Sequence, residues 1–116
     1  MAPAPKNDME DEYGGMDDEG ETYTEKNFGL ESGVTLRHVQ VRYRALGKLN
    51  AAGDNCLVVC HALTGNAAVN SWWSDMYGEG KLLDPTRYLI VCANMLGSCY
   101  GSSGPTTIDP ETGKPY

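Results

Sequence analysis

The most suggestive spacing for chemistry is Gly97-Ser98-Cys99-Tyr100-Gly101, a cysteine with a glycine two residues away on either side. That pattern suits a sharp turn that lifts a nucleophile clear of the backbone, and a thiol so placed could attack an ester or thioester carbonyl. Such a turn also needs a helix to begin at once, because the helix N-terminus stabilises the nucleophile and the developing oxyanion. Here Ser102-Ser103-Gly104-Pro105-Thr106-Thr107 follows, then Ile108-Asp109-Pro110-Glu111-Thr112-Gly113. Glycine and proline at this density forbid a long helix. Cys99 therefore reads as part of a shaping loop, and a hydrolase using it as nucleophile is the least favoured reading.

Other residues offer different chemistry. Cys56, Cys60, His61, Cys92 and Cys99 supply thiolate and imidazole groups of the kind that bind zinc. A zinc site usually takes ligands from a tight turn, whereas Cys56 and Cys60 bracket an apolar Leu-Val-Val run and Cys92 lies inside another. Buried free thiols are the simpler expectation, and no metal is expected. Gly78-Glu79-Gly80-Lys81 suggests a phosphate loop, but Leu82 follows the lysine where a hydroxyl would bind magnesium, and Leu83 stands where a dinucleotide motif has its third glycine. A flexible linker is expected there. His61 ends an apolar run and opens His61-Ala62-Leu63-Thr64-Gly65. Two readings stay open: a histidine bonded into the loop to set its shape, or a turn whose backbone amide faces an oxyanion. An amide is aimed by the backbone, so an apolar side chain such as Leu63 is compatible.

These loops must be held by strands. Val39, Val41, Tyr43 and Ala45 alternate with His38, Gln40, Arg42 and Arg44, which predicts a half-buried strand with the second set facing solvent. It should be the second arm of a hairpin that closes at Ser32-Gly33, with Phe28 and Leu30 on the first arm. After a turn-rich connector, Leu46 to Asn55, two short apolar runs, Cys56 to Cys60 and Tyr88 to Ala93, predict strands buried on both faces, as in a parallel sheet. A loop or short helix around residues 66–76, with the pair Trp72-Trp73, joins them. The class is α/β: an antiparallel hairpin followed by parallel strands.

Residues 1–26 hold nine Asp or Glu and two Lys and almost no branched apolar residues, so an acidic disordered leader is expected there, with the globular part at 27–116. The net charge of −7 lies entirely in that leader, because residues 27–116 carry seven acidic and seven basic groups. A neutral globular part gives no electrostatic reason to expect nucleic acid or an anionic membrane as partner. No apolar run approaches the length of a membrane span and no secretory signal opens the chain, so a cytoplasmic protein with reduced cysteines is expected.

Asp54 to Gly65, Trp72-Trp73, Gly80-Lys81 with Asp84, Arg87-Tyr88, Asn94 to Pro105 and the closing Pro110-Glu111-Thr112-Gly113-Lys114-Pro115-Tyr116 together resemble the homoserine O-acetyltransferase family, acyltransferases of the α/β-hydrolase fold. The resemblance runs from about Phe28 to Tyr116, and Leu96-Gly97-Ser98-Cys99-Tyr100-Gly101 is its most specific part. It implies a route in which acetyl-CoA acylates a serine on a G-x-S-x-G turn and L-homoserine then takes the acetyl group, on the way to methionine. It implies that Leu63 gives an oxyanion-hole amide, that acetyl-CoA is a co-substrate with no further cofactor, and that partners are small molecules, a homo-oligomer being left open. No G-x-S-x-G occurs in the 116 residues. The expectation is therefore the N-terminal part of an α/β-hydrolase sheet, incomplete, and inactive alone because the Ser/Asp/His triad lies beyond it. The alternative is a non-catalytic binding or regulatory piece that pairs with a full-length subunit.

Overall fold

The computed structural model describes residues 19–116. Residues 1–18, most of the expected leader, lie outside the described residues. Four strands, β1 (Glu21–Gly29), β2 (Thr35–Leu46), β3 (Cys56–Val59) and β4 (Leu89–Ala93), and one short helix, α1 (Val69–Trp72), make up its regular structure. The strands form a single mixed sheet in the order β1-β2-β4-β3. β1 and β2 are antiparallel, β2 and β4 antiparallel, and β3 and β4 parallel.

The hairpin forms because its turn chemistry and its alternation agree. Gly33 takes φ +86°, its N–H donates to Leu30 O at 2.9 Å, and Leu30 N donates to Val34 O at 2.8 Å. Glycine is the residue that adopts such a φ without strain. β1 begins at Glu21, inside the stretch expected to be leader. Cross-strand pairing from Glu21↔Tyr43 onward orders a sequence that is too polar to order itself.

β2 corrects the expected division of faces. Val39 is buried as predicted, but Ala45 is exposed and Arg44 is only 2% exposed. Arg44 lies opposite Cys92, and Leu46 opposite Ile90, so this end of β2 shares the face of the core. That core gathers Ala67, Val69, Leu83, Ile90 and Cys92, with Leu46, Leu57, Val59, Trp72, Tyr77 and Tyr88 packed around it. The long crossover between β3 and β4 covers this face and turns the arginine inward. The Arg44 guanidinium donates from Nη1 to Asn70 Oδ1 at 2.7 Å, which gives the buried cation a polar partner on α1.

β3 also differs from expectation. Leu57 and Val59 pack on the core, but Cys56 is exposed and Val58 is 73% exposed. The strand is last in the sheet order, and among the described residues only one face has a covering layer. The crossover that links β3 to β4 supplies that layer; a parallel strand buried on both sides needs a second one.

The glycines of the connectors do specific work at Gly47. Its φ is +89°, and a Cβ there would lie 2.1 Å from Tyr88 O and 2.7 Å from Pro85 O. The chain leaves β2 so close to the start of β4 that no side chain fits.

Candidate active site

β3 and β4 are parallel, so their carboxyl ends meet at one edge of the sheet, where open α/β sheets place ligands. β3 delivers His61-Ala62-Leu63-Thr64-Gly65 there, and β4 delivers Asn94 to Gly104. Gly65 N donates to Ala62 O at 2.8 Å, closing a four-residue turn with Leu63 and Thr64 at its tip. Leu63 is 100% exposed. Among the described residues, nothing accepts a hydrogen bond from its N–H. Its side chain therefore takes no part in the core.

The turn is tied to β4 on both sides. Before it, Met95 N donates to His61 Nε2 at 3.4 Å. After it, Ala67 N donates to Asn94 Oδ1 at 2.8 Å. Asn66, Ala67, Ala68 and Val69 are all fully buried, so the exposed tip stands on a packed base. Trp72 Nε1 donates to Asn66 O at 2.9 Å and extends that base into α1.

The loop around Cys99 does structural work of its own. Beyond Tyr43, β4 no longer accompanies β2, and the loop takes over the unpaired edge. Asn94 N donates to Arg42 O at 2.8 Å, Arg42 N to Ser102 Oγ at 3.0 Å, and Gln40 N to Ser103 Oγ at 2.8 Å. Ser103 N returns a bond to Gln40 O at 2.8 Å. Further along, Tyr116 OH bonds both the N–H and the carbonyl of His38, at 3.2 and 3.0 Å. Two buried serines and a tyrosine thus stand in for a missing stretch of neighbouring strand.

Asn94 holds the two arms of this loop together. Its Nδ2 donates to Tyr100 O at 2.8 Å, and its carbonyl accepts from Ser102 Oγ at 2.7 Å. Gly97 and Gly101 both have positive φ, +92° and +96°, and a Cβ on Gly101 would meet the Arg42 stem at 3.1 Å. The glycines flanking Cys99 are therefore explained by a clip folded over β2. No helix follows among the described residues, and Cys99 stands exposed on the loop. Cys92 is the buried thiol, and burial, with a smaller effect of Cys60, pushes it up to about 11. Neither has the surroundings of an activated nucleophile.

The Gly78 to Lys81 segment is more ordered than the linker expected. Gly78 N donates to Leu83 O at 3.0 Å and Gly80 N to Asp84 Oδ2 at 2.9 Å. Lys81 Nζ reaches Ser74 O at 3.0 Å, so it is engaged with backbone and does not head a phosphate cradle. Asp84, 3% exposed, also accepts from the hydroxyl and N–H of Thr86 at 2.6 and 2.9 Å. Those bonds hold its carboxyl below the usual range.

Asn94, Asn66 and the serines at 102 and 103 received no role from sequence reasoning. An asparagine placed directly after an apolar run was the available signal, since its amide can bond backbone in both directions.

The mixed sheet with its crossover is that of the α/β-hydrolase fold. Among solved structures, the homoserine O-acetyltransferase from Bacillus anthracis matches with a TM-score of 0.74 and 26% identity, over 84% of this chain and 30% of that one. Esterase E22 matches with a TM-score of 0.74 and 27% identity, over 84% of this chain and 31% of that one. The homoserine O-acetyltransferase of Nostoc punctiforme is 58% identical over 89 residues, which is 77% of this chain and 25% of the relative. That of Cryptococcus neoformans is 56% identical over 90 residues, 78% of this chain and 17% of the relative. By sequence, the matched stretch is similar to part of these homoserine O-acetyltransferases. The chain spans about a quarter of the length of the curated relatives it matches. No protein-family model matches it.

Proposed function

We propose that this chain supplies the oxyanion-hole turn of an acyl-transfer site of the homoserine O-acetyltransferase kind, with the Leu63 N–H as donor. One observation carries the reading: an exposed turn whose leading amide is unengaged among the described residues, at the carboxyl end of a parallel strand, in a sequence 58% identical to an enzyme of that name. In this reading a nucleophile outside the 116 residues attacks the acetyl thioester of acetyl-CoA. The carbonyl oxygen becomes an oxyanion that the Leu63 amide stabilises, and the coenzyme thiolate leaves. The hydroxyl of L-homoserine then gives up its proton and attacks the acyl-enzyme carbonyl, forming a second oxyanion at the same amide, and its collapse breaks the bond to the nucleophile and releases the acetyl ester. The chain needs no metal or further cofactor for this, and the enzyme it serves is cytoplasmic.

The test replaces the matched quarter of the Nostoc punctiforme enzyme with the corresponding residues of this chain and measures O-acetylhomoserine formed from acetyl-CoA and L-homoserine. Activity within about tenfold of the parent is expected, from the tolerance of volume-conserving exchanges at this identity. A folded chimaera that binds both substrates and makes no product would sink the proposal. The 116-residue chain by itself should be inactive, since an oxyanion donor without a nucleophile supplies little.

A second reading draws on the 73% exposure of Val58 and the terminal place of β3 in the sheet. There the chain would pair along β3 with a full-length acyltransferase subunit and modulate it without catalysing. Co-purification of the two, with a change in the partner's turnover that persists when this chain carries Leu63→Pro, would favour it; co-purification without any change in turnover would not.

A further inference from the structure

The structure assigns His61 a positioning role, resting on the proposed function above: it aims the Leu63 N–H at the oxyanion by holding the Ala62 carbonyl. The argument begins with the peptide bond. The Ala62 C=O and the Leu63 N–H belong to one peptide unit, and no peptide bond among the described residues is cis. A trans peptide is planar, with its C=O and N–H pointing in opposite directions. Whatever fixes the carbonyl therefore fixes the amide.

The Ala62 carbonyl is held by two donors. Gly65 N reaches it at 2.8 Å and His61 Nδ1 at 2.7 Å. The turn bond alone leaves the plane free to rock about the line joining Ala62 and Gly65. The imidazole approaches from a second direction and removes that freedom. Hydrogen bonds accepted by a carbonyl also polarise the amide across the same peptide, which strengthens the Leu63 N–H as a donor.

The ring is itself held in one state. Nδ1 must carry a proton to donate to Ala62 O. Nε2 must be bare to accept from Met95 N at 3.4 Å. Only the neutral Nδ1–H tautomer satisfies both contacts. The imidazole thus couples the loop after β4 to the direction of an amide on the loop after β3. Asn94, one residue before Met95, secures the far side of the same turn through Ala67. His61 is half-buried, so its ring is held by these contacts more than by packing.

The test has a spectroscopic arm and a catalytic arm. In the isotope-labelled 116-residue chain, the nitrogen shifts of His61 should show a protonated Nδ1 and an unprotonated Nε2. Exchange of the Met95 amide should be slowed, and His61→Ala should abolish that protection. An Nε2–H tautomer, or a Met95 amide that exchanges as in an open loop, overturns the assignment. In the chimaera, His61→Ala should lower kcat by about tenfold to a hundredfold with KM little changed, the scale of a misdirected catalytic group. His61→Asn places an N–H where Nδ1 stood and should restore most of the loss. His61→Gln imitates Nε2 and should not. Rescue by Gln and not by Asn would contradict the route through the Ala62 carbonyl, and so would full activity in His61→Ala. Full activity after the Leu63 N–H is removed would instead defeat the oxyanion reading and leave the tautomer result standing.

Discussion

Replacing Leu63 with proline separates the backbone amide from everything else at the candidate site. Leu63 is the second residue of the turn that Gly65 N closes on Ala62 O, the position where proline is most readily accepted because its fixed φ suits the turn. The closing bond uses the carbonyl of Ala62 and the N–H of Gly65, neither of which the substitution touches. The leucine side chain is 100% exposed, so no core packing is lost. The change therefore deletes one N–H. Deleting an oxyanion-hole donor costs about 10²- to 10³-fold in kcat, or about 2.7–4 kcal/mol of transition-state stabilisation. Because the oxyanion forms only in the transition state, KM should move little. Stability should move the other way: proline at a compatible turn position restricts the unfolded chain and stabilises by about 0.4–1 kcal/mol. The assay is steady-state O-acetylhomoserine formation by the chimaera, with thermal melting of the same samples. Leu63→Ala, which keeps the N–H, should stay within a few-fold of the parent. The reasoning is refuted if Leu63→Pro melts normally and keeps a kcat within twofold, or if Leu63→Ala is the more damaging change.

Three further outcomes follow from the local chemistry. Iodoacetamide applied to the native chain near pH 8 should label Cys56, Cys60 and Cys99 and spare Cys92, whose thiol is buried and pushed up to about 11; intact-mass analysis showing a fourth adduct without denaturant would contradict the packing of β4. Asp84 has its carboxyl lowered chiefly by the Thr86 hydroxyl, with the N–H groups of Gly80 and Thr86 and the charge of Arg87 assisting and burial opposing. Its contribution to stability should be complete above the unfolded value of about 3.9 and fade as the pH falls through the lower folded value. The gap in melting temperature between the parent chain and Asp84→Asn should accordingly be flat from neutral pH down to about 5 and narrow below about 4, following that same unfolded value; a gap that widens on acidification would reverse the sign argued here. Gly47→Ala should destabilise by more than about 2 kcal/mol in denaturant titration, since it combines a strained positive φ with a Cβ 2.1 Å from a backbone oxygen. A neutral result would mean that the junction of β2 with β4 is looser than the structure has it.

Much of the architecture was legible in the sequence. Ser32-Gly33 marked the hairpin, the alternation through Val39 and Val41 marked β2, and the apolar runs at Cys56 and Tyr88 marked the parallel pair. The turn at His61 to Gly65 was visible as a candidate, and the stop signals after Gly101 argued against a nucleophile at Cys99. Each of these rests on chain-local physics: periodicity, φ preference and the missing N–H of proline.

Other features depend on what meets what across the fold. Arg44 reads as solvent-facing from its alternation with Val39 and Val41, yet it is buried because the crossover lies over that end of β2 and offers Asn70. Val58 reads as buried from its apolar neighbours, yet it is exposed because only one face of β3 is covered among the described residues. The run Asn94 to Ser103 reads as a glycine-rich loop, and only its docking along β2 shows the hydroxyls of Ser102 and Ser103 serving as rungs of a sheet. Sequence alone determined which segments are strands and turns, because those preferences are written in neighbouring residues. Tertiary structure decided which faces are covered, because that depends on contacts between residues distant in the chain, and it decided the state of the His61 ring that holds the Ala62–Leu63 peptide, because Met95 reaches that ring from the loop after β4.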